Sequence, residues 1–285
     1  MRAVFFTHKA YFQPHIFRSC NALRFFKALR SRMVAGGLDP PIIAGFDKPY
    51  KAKDKDLVIN WGVAHNAPQF DCDEIWNHPI GVARACNKIA TLNLLEAGGF
   101  PVIDSTTNSL EAFAWYATGN KVFVRNLVNG HGGEGIEVIS QTTHPNLTLE
   151  DFPEAPLYTL NFKKNSEFRY HIFEGGLITV QQKKKMTEEK MLAAGITFRP
   201  GVRNYHNGWA FCIQDVPVFD DIVGECIAAV HLLGLKFGAV DVLAMVTGGR
   251  LMNFAICEVN TAPAIEATTQ EKYVETFYNE IKRLS

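Results

Sequence analysis

Two acids and an amide near the C-terminal end of the chain have the types and spacing of a metal site. Asp241 lies inside the apolar run "GAVDVLA", and Glu258 and Asn260 lie inside "AICEVNTAP". A carboxylate among apolar neighbours is costly to bury unless it is paired or bound to a metal. Residues two apart share one face of a strand, so Glu258 and Asn260 point the same way. The short link "TGGR" makes the two runs neighbours and brings Asp241 to them. Two carboxylates and an amide oxygen form a hard oxygen set that suits magnesium, with phosphate oxygens and water completing the shell. The alternative is a structural network in which a buried lysine or arginine neutralises the acids.

A phosphate-handling site also needs cations. The candidates are Lys88 in "CNKIATL", Arg125 in "KVFVRNLV", Arg169 in "EFRYHIF", Lys183, Lys184 and Lys185 closing "VQQKKK", and Arg203 with Asn204 in "GVRNYHNGW". Each alone also reads as a solvated surface charge. Arg125 and Arg169 are the stronger candidates, because each interrupts a strand of apolar or aromatic residues.

Between Arg125 and "IEVIS" runs "GHGGEG", with Gly130, Gly132, Gly133 and Gly135. The spacing satisfies G-x-G-x-x-G, but a dinucleotide turn must open a helix. Here a β-branched segment follows. A phosphate loop of the Walker type needs Lys and Ser/Thr after its last glycine, and Ile136 stands there. Two readings remain: a hairpin tip whose backbone N–H groups fold over phosphates, and a hairpin with no ligand. His131 is read first as a polar loop-tip residue and second as a catalytic one.

These residues must be positioned by a mixed α/β (α+β) chain. "RAVFFT", "PIIAGF" and "DLVINWG" predict strands, and Arg18–Met33 has helical spacing, which makes a small α/β lobe. Val82–Phe100 predicts one helix ended at Gly98–Gly99, with "PVIDST" as a strand after it. "SLEAFAWYAT" is a short helix. "KVFVRNLV" and "GIEVIS" are two arms of a hairpin. Beyond the turn-rich "HPNLTLEDFPEAP" come strands "LYTLNF", "EFRYHIF" and "LITVQQKK", then a short helix at "MTEEKMLAAG". An amphipathic helix N-capped near Asp220, the two acid-bearing strands and a final amphipathic helix complete the chain. The lobes expected are 1–80, 81–155 carrying the glycine hairpin, and 156–285 carrying the acids.

Composition narrows the classes. Among 285 residues, 29 are Lys or Arg and 29 are Asp or Glu, so no global charge points to nucleic acid or an anionic membrane. Cys20, Cys72, Cys86, Cys212, Cys226 and Cys257 are scattered without C-x-x-C spacing, which favours free thiols in a reducing compartment. The N-terminus lacks a long apolar segment of the signal-peptide kind. No apolar run approaches the roughly 20 residues of a membrane span. A cytoplasmic protein is expected.

With these motifs in this order, the chain resembles the ATP-grasp superfamily of carboxylate–amine ligases from about Val82 to its end. The carriers are "NK" followed by "GGFPV", the strand and flap "VFVRNLVNGHGGEGIEVI", the "EFR" strand, and the pair "FGAVDVLA" and "ICEVNTAPAIE". It looks most like stand-alone phage-type members and the ribosomal-protein glutamate ligase group. The resemblance implies an ATP-grasp fold with a small N-terminal pre-ATP-grasp α/β lobe. It assigns Lys88 and Arg125 to ATP phosphates, and Gly130, His131, Gly132, Gly133 and Gly135 to the flap over them. Glu167 matches the acid that binds the ribose hydroxyls, and "LYTLNF" the strand that receives adenine. Arg169 and one of Lys183–Lys185 fall at phosphate or substrate contacts. Arg203 falls where a basic group stabilises an acyl phosphate or tetrahedral intermediate, and Asp241, Glu258 and Asn260 match the magnesium ligands. Arg125 stands where lysine is commoner, and Ala264 where glycine is. The implied cofactors are ATP and two Mg2+ ions. The implied partners are small-molecule or peptide carboxylates and amines, with a homodimer common among members. Alternatives within the fold are a kinase that phosphorylates a hydroxyl and a non-catalytic ATP-binding protein.

Overall fold

The structure, a computed structural model, describes residues 1–7, 22–45, 53–64, 72–129, 133–199 and 202–285. Cys20, Gly130, His131 and Gly132 lie outside the described residues, as do most of "THKAYFQPHIFRS" and part of "NWGVAHNAP".

Strands β1 (Arg2–Thr7), β2 (Ile42–Gly45), β3 (Asp56–Trp61) and β4 (Glu74–Trp76) form a parallel sheet in the order β2-β1-β3-β4. Strands covered on both faces read as unbroken apolar runs, which is why "AVFF" and "LVIN" do not alternate. Helix α1 (Ala22–Ala35) buries Phe25, Phe26, Leu29 and Met33 along one stripe. The expected start at Arg18 falls outside the described residues.

The helix expected across Val82–Phe100 is two helices, α2 (Pro79–Cys86) and α3 (Lys88–Ala97). Asn87 divides them. Its backbone is extended, and its Oδ1 accepts from the N–H groups of Ile89 at 3.1 Å and Ala90 at 3.2 Å. An asparagine that caps the next turn offers the backbone an alternative to continuing the previous one. The cap makes Lys88 the first residue of α3.

A second sheet, antiparallel, has the order β5-β8-β6-β7, from β5 (Ser105–Thr106), β6 (Val122–Arg125), β7 (Ile136–Ile139) and β8 (Leu157–Leu160). The glycine segment joins β6 to β7 as a hairpin, as expected. The strand expected at "PVIDST" shrinks to Ser105–Thr106, with Val102 making one parallel bridge to Ile256. Helix α4 (Ser109–Ala117) is capped by Asn108 and packs Ala112 and Tyr116 against Val122, Val124, Ile139 and Tyr158. The opposite face carries Arg125, Leu157 and Thr159.

The third sheet is built from β9 (Ser166–Phe173), β10 (Gly176–Lys185), β11 (Trp209–Cys212), β12 (Phe237–Thr247) and β13 (Arg250–Asn260), in the order β11-β10-β9-β12-β13. Its neighbours are antiparallel throughout. Between β10 and β11 runs the short α5 (Glu188–Ala193), capped by Thr187. Alternation, reset at register shifts on β10 and β13, divides the sheet's side chains. Phe168, Tyr170, Ile172, Val180, Val240, Val242 and Ile256 face α6 (Asp220–Leu232), which contributes Ile222, Cys226, Ala229 and Val230. Asp220 is not the cap expected; Phe219 occupies that position without a side-chain hydrogen bond. Asp220 and Asp221 instead lie in the first turn, where a negative charge favours the helix dipole.

The sheet's other face is covered over only part of its length. There Phe173 and Phe237 join Phe5, Phe25, Trp61, Trp76, Tyr273 and Phe277 in one aromatic core, shared with the parallel sheet and with α7 (Ala267–Leu284). Buried Asn77, at φ 63°, splices the two sheets. Its Nδ2 donates to the Phe237 carbonyl at 3.0 Å, and its Oδ1 accepts from Lys236 N at 2.9 Å and Phe237 N at 3.1 Å. Asn60 reaches the same splice by donating to the Asn77 carbonyl at 2.8 Å. Asn77→Ala removes the three bonds made by the Asn77 side chain, leaves that of Asn60 to the carbonyl, and keeps the strained φ. It should cost about 2–4 kcal/mol, read as a fall in the urea midpoint with an unchanged m-value.

Beneath the covered half lies a buried polar chain. His171 Nδ1 is 2.9 Å from Tyr273 Oη, and Nε2 is 2.9 Å from Gln181 Oε1. Gln181 uses its nitrogen to donate to Glu266 Oε1 and Thr269 Oγ1, both at 3.0 Å, so its oxygen must accept. His171 is therefore the Nε2–H tautomer, and Nδ1 accepts from the tyrosine. Burial drives the His171 pKa down to about 4, aided by Arg169 and opposed by Gln181 and Asp241. The unfolded chain takes a proton near pH 6.5 that the folded chain refuses until about pH 4. Stability should fall through that window by about 3 kcal/mol and level off below it. Urea titrations from pH 7 to 4 should show this slope in the wild type, and His171→Gln should flatten it.

Candidate functional site

The uncovered half of the third sheet's face holds the candidate residues in rows across the strands. Gln181, Arg169, Asp241 and Glu258 are successive cross-strand partners on β10, β9, β12 and β13. The next row sets Phe211 beside Lys183 on β11 and β10, and Glu167 beside Leu243 on β9 and β12. In the row on the other side, His171, Ala239 and Asn260 follow one another. Between Asp241 and Val242 the β12–β13 register shifts by a bulge at Cys257. Without it Glu258 and Asn260 would turn to the α6 side. Bulges beside sites re-aim side chains in this way.

Each acid on this face is met by cations. Arg169 donates through Nε to Asp241 Oδ1 at 2.5 Å and through Nη2 to Oδ2 at 2.7 Å, a bidentate fork. Lys88, placed by the Asn87 cap, has Nζ 3.5 Å from Glu258 Oε2. Glu167 is approached by Lys164 at 2.7 Å, Lys183 at 3.0 Å and Arg203 at 3.5 Å. Burial raises the Glu258 pKa, but Lys88 and Arg169, with hydrogen bonds to Asp241 and Asn260, outweigh it and hold it at about 2. Burial likewise opposes ionisation of Glu167, and Lys183 and Lys164 overcome it and lower its pKa. Asp241 is neutralised by Arg169, as the structural alternative requires, and it stands beside Glu258 on the open face.

The three adjacent lysines lie in different places. Lys183 serves the cleft; Lys184 turns away to the Gln214 carbonyl at 3.3 Å, and Lys185 lies over the Phe198 ring. Aromatic rings hold the cations in place: Arg169 and Lys183 over Phe211, and Arg203 over Trp209. Lys164, in the loop before β9, belongs to the site although sequence alone did not single it out. Its spacing of three residues from Glu167 was the available signal.

The second sheet forms the facing wall. Arg125 Nε donates to Thr159 Oγ1 at 3.2 Å on that wall. Burial raises the Cys257 pKa across the cleft, and Arg125 opposes the rise. Leu157 of this wall packs with Leu92, Ile103 and Ala255, and beside them lie Leu243, Phe162 and Cys257, so the floor between the sheets is apolar. The described end of the glycine hairpin reaches the Arg203 segment. A Cβ on Gly133, at φ 85°, would lie 2.7 Å from Val202 Cγ1 and 3.1 Å from Asn204 Nδ2. Glycine is required there on both counts.

The donor set fits a small hard cation. Asn260 Nδ2 donates to Glu258 Oε1 at 3.3 Å and to the Ala239 carbonyl at 3.5 Å, which leaves its amide oxygen as the ligand atom. Among the described residues no three His, Cys, Asp or Glu side chains converge. An ion held by Asp241, Glu258 and Asn260 needs further oxygens from a ligand and water, the habit of magnesium.

At the level of sequence, no family model and no curated protein matches the chain. Solved structures do. The ATP-grasp ligase PsnB, complexed with a minimal precursor, aligns over 100% of both chains at TM-score 0.67 and 14% identity. D-alanine–D-alanine ligase from Bacillus anthracis complexed with ATP covers 100% of this chain and 99% of its own, at TM-score 0.60 and 14% identity. The macrocyclase MdnC of Microcystis aeruginosa, bound with precursor peptide MdnA, covers 96% and 98%, at TM-score 0.57 and 13% identity. The chain has the ATP-grasp fold.

Arg169→Met leaves Asp241 without its fork and removes one of the two cations that hold Glu258. The variant should lose about 3 kcal/mol or more in EDTA, since an acid stranded in a low-dielectric site is strongly unfavourable. Millimolar Mg2+ should restore more thermal stability to it than to the wild type. Equal gains in a thermal-shift assay would show that no cation exchange occurs at Asp241.

Proposed function

We propose that the protein is an ATP-dependent ligase that joins a carboxylate to an amine, with ADP and phosphate as products. The observation that carries the proposal is the row of acids on an open sheet face, each answered by a cation, beside an apolar floor. A triphosphate needs those cations, and a magnesium ion needs those acids. The fold supports the reaction class, and PsnB has been solved with Mg and ADP at 12% identity to this chain.

In this assignment Lys88, Arg125 and Lys183 bind phosphate oxygens, and Gly133 and Gly135 belong to a lid over them that excludes water. Gly130, His131 and Gly132, outside the described residues, are assigned to phosphate contacts on the sequence alone. Glu167 accepts from the ribose hydroxyls, and the strand Leu157–Leu160 lies against adenine. Mg2+, two ions in our proposal, would be held by Asp241, Glu258 and Asn260 and would supply charge neutralisation at the β- and γ-phosphates. The substrate carboxylate attacks the γ-phosphorus, the bond to the bridging oxygen breaks, and ADP leaves. The amine then attacks the acyl carbon, loses a proton and expels phosphate. Arg169 and Arg203 stabilise the negative oxygens formed in these two steps. The protein contributes position, charge and dryness, and no side-chain nucleophile is required.

The lobes 1–80, 81–155 and 156–285 belong to the same assignment, with the first contributing to the acceptor site. Gly62, at the carboxyl end of β3, supports this. A Cβ there would meet the Ala262 side chain at 2.5 Å, just past Asn260. Peptides are proposed among the substrates because PsnB and MdnC are each solved with a precursor. The described cysteines are free and no described helix is long and apolar enough to cross a membrane, which supports the cytoplasm as the location. A homodimer is part of the proposal and is checked by light scattering.

ATP binding by calorimetry should require Mg2+ and fall at least about tenfold in Asp241→Asn, with the fold retained by circular dichroism. With a pooled panel of carboxylates and amines, the wild type should release ADP and phosphate in equal amounts. A stable phosphoester formed without an amine would identify a kinase instead, and ATP binding without turnover a non-catalytic protein.

A further inference from the structure

The acids of the open face share one property, and a further acid at its border breaks it. Asp241 is met by Arg169, Glu258 by Lys88, and Glu167 by Lys164, Lys183 and Arg203. Glu266 is solvent-exposed, and among the described residues no lysine, arginine or histidine pairs with it. Its carboxylate is nevertheless held. Oε1 accepts from Gln181 Nε2 at 3.0 Å and lies 3.4 Å from Thr269 Oγ1, and both partners are buried. Gln181 is fixed in turn by His171 and Tyr273. Four side chains thus orient one exposed carboxylate, and Oε2 is left without a protein donor among the described residues.

The place of Glu266 gives this arrangement a purpose. Helix α7 covers the third sheet where Tyr273 meets His171 and Lys272 donates to Thr179 Oγ1 at 3.0 Å. Gln181 is the next cleft-facing residue along β10, and it opens the row Gln181–Arg169–Asp241–Glu258. Glu266, immediately before α7, therefore stands where the covered half ends and the site begins. The segment from Asn260 to Glu266 also touches the parallel sheet, through Ala262 against Gly62. A negative group that is fixed, accessible and without a counter-charge among the described residues, beside a site otherwise furnished with its own cations, is complementary to a cationic ligand.

We propose that Glu266 binds the amine substrate in its protonated form, so that this substrate carries a primary ammonium group, which gives up one proton to solvent before its nitrogen attacks. This rests on the ligase assignment above, in which one substrate is an amine. Gln181 and Thr269 act as positioning residues for the carboxylate.

The test titrates the full chain with n-butylammonium, and with 1-butanol as its neutral isostere, by ligand-observed NMR at neutral pH. Saturable binding of the ammonium and none of the alcohol is expected. Glu266→Gln should weaken the ammonium at least about tenfold. Glu271→Gln, an exposed acid of α7, should leave it unchanged, and Glu266→Asp, which keeps the charge, should bind better than Glu266→Gln. The proposal is overturned if Glu266→Gln binds like the wild type, if the alcohol binds as well as the ammonium, or if the wild type shows no saturable binding. Calorimetry with MgATP on the same samples separates the two levels. Lost MgATP binding in the wild type counts against the ligase assignment, and intact MgATP binding without ammonium selectivity counts against Glu266 alone.

Discussion

A guanidinium enclosed by protein must have its charge answered, and Arg169 is such a group. Its fork takes both oxygens of Asp241, and the ring of Phe211 closes one of its faces. From that pair the charges alternate outward: Arg169 also acts on Glu258, and Glu258 meets Lys88. Elements far apart in the chain are thereby held in register by electrostatics that tolerate little displacement. The cap at Asn87, the bulge at Cys257 and the aromatic shelf of β11 all serve to bring charged side chains to this one surface.

Two opposed demands meet in the five-stranded sheet. Its α6 side is dry and apolar, as a stable layer requires. Its other side is half core and half cleft, and the change occurs within single strands. On β9 the side chains on this side run from Glu167 through Arg169 to His171 and Phe173. On β12 they run from Leu243 through Asp241 to Ala239 and Phe237. The polar chain of His171, Gln181 and Tyr273 lies at the transition, where a polar group can be both buried and satisfied.

Much of this was legible in the sequence. Alternation placed Asp241 on one strand and Glu258 with Asn260 on the next, and the short "TGGR" turn made them partners. The hairpin around the glycines followed from β-branched residues on both flanks. Other features depend on tertiary partners or local hydrogen bonds that a hydrophobic pattern does not carry. Asn87 interrupts a run whose periodicity is helical throughout, because its side chain competes with the backbone. The three adjacent lysines are equivalent in composition, and only the facing residues Glu167, Gln214 and Phe198 separate them. Lys164 had no apolar context to mark it. Nothing in the sequence around Glu266 sets it apart from other helix-flanking acids, because the bond from Gln181 that holds it spans 85 residues.

The bulge at Cys257 has a consequence for how such a chain can change. On β13, Ala255 and Glu258 both face the cleft, although their parity differs, because one extra residue resets the phase between them. Were Cys257 kept but paired as an ordinary ladder residue, Glu258 and Asn260 would turn into the α6 layer and Val259 would come out to the cleft. Deleting Cys257 would instead restore plain alternation and leave Glu258 opposite Asp241. The two acid-bearing strands can therefore lose this residue and keep their ligands on one face.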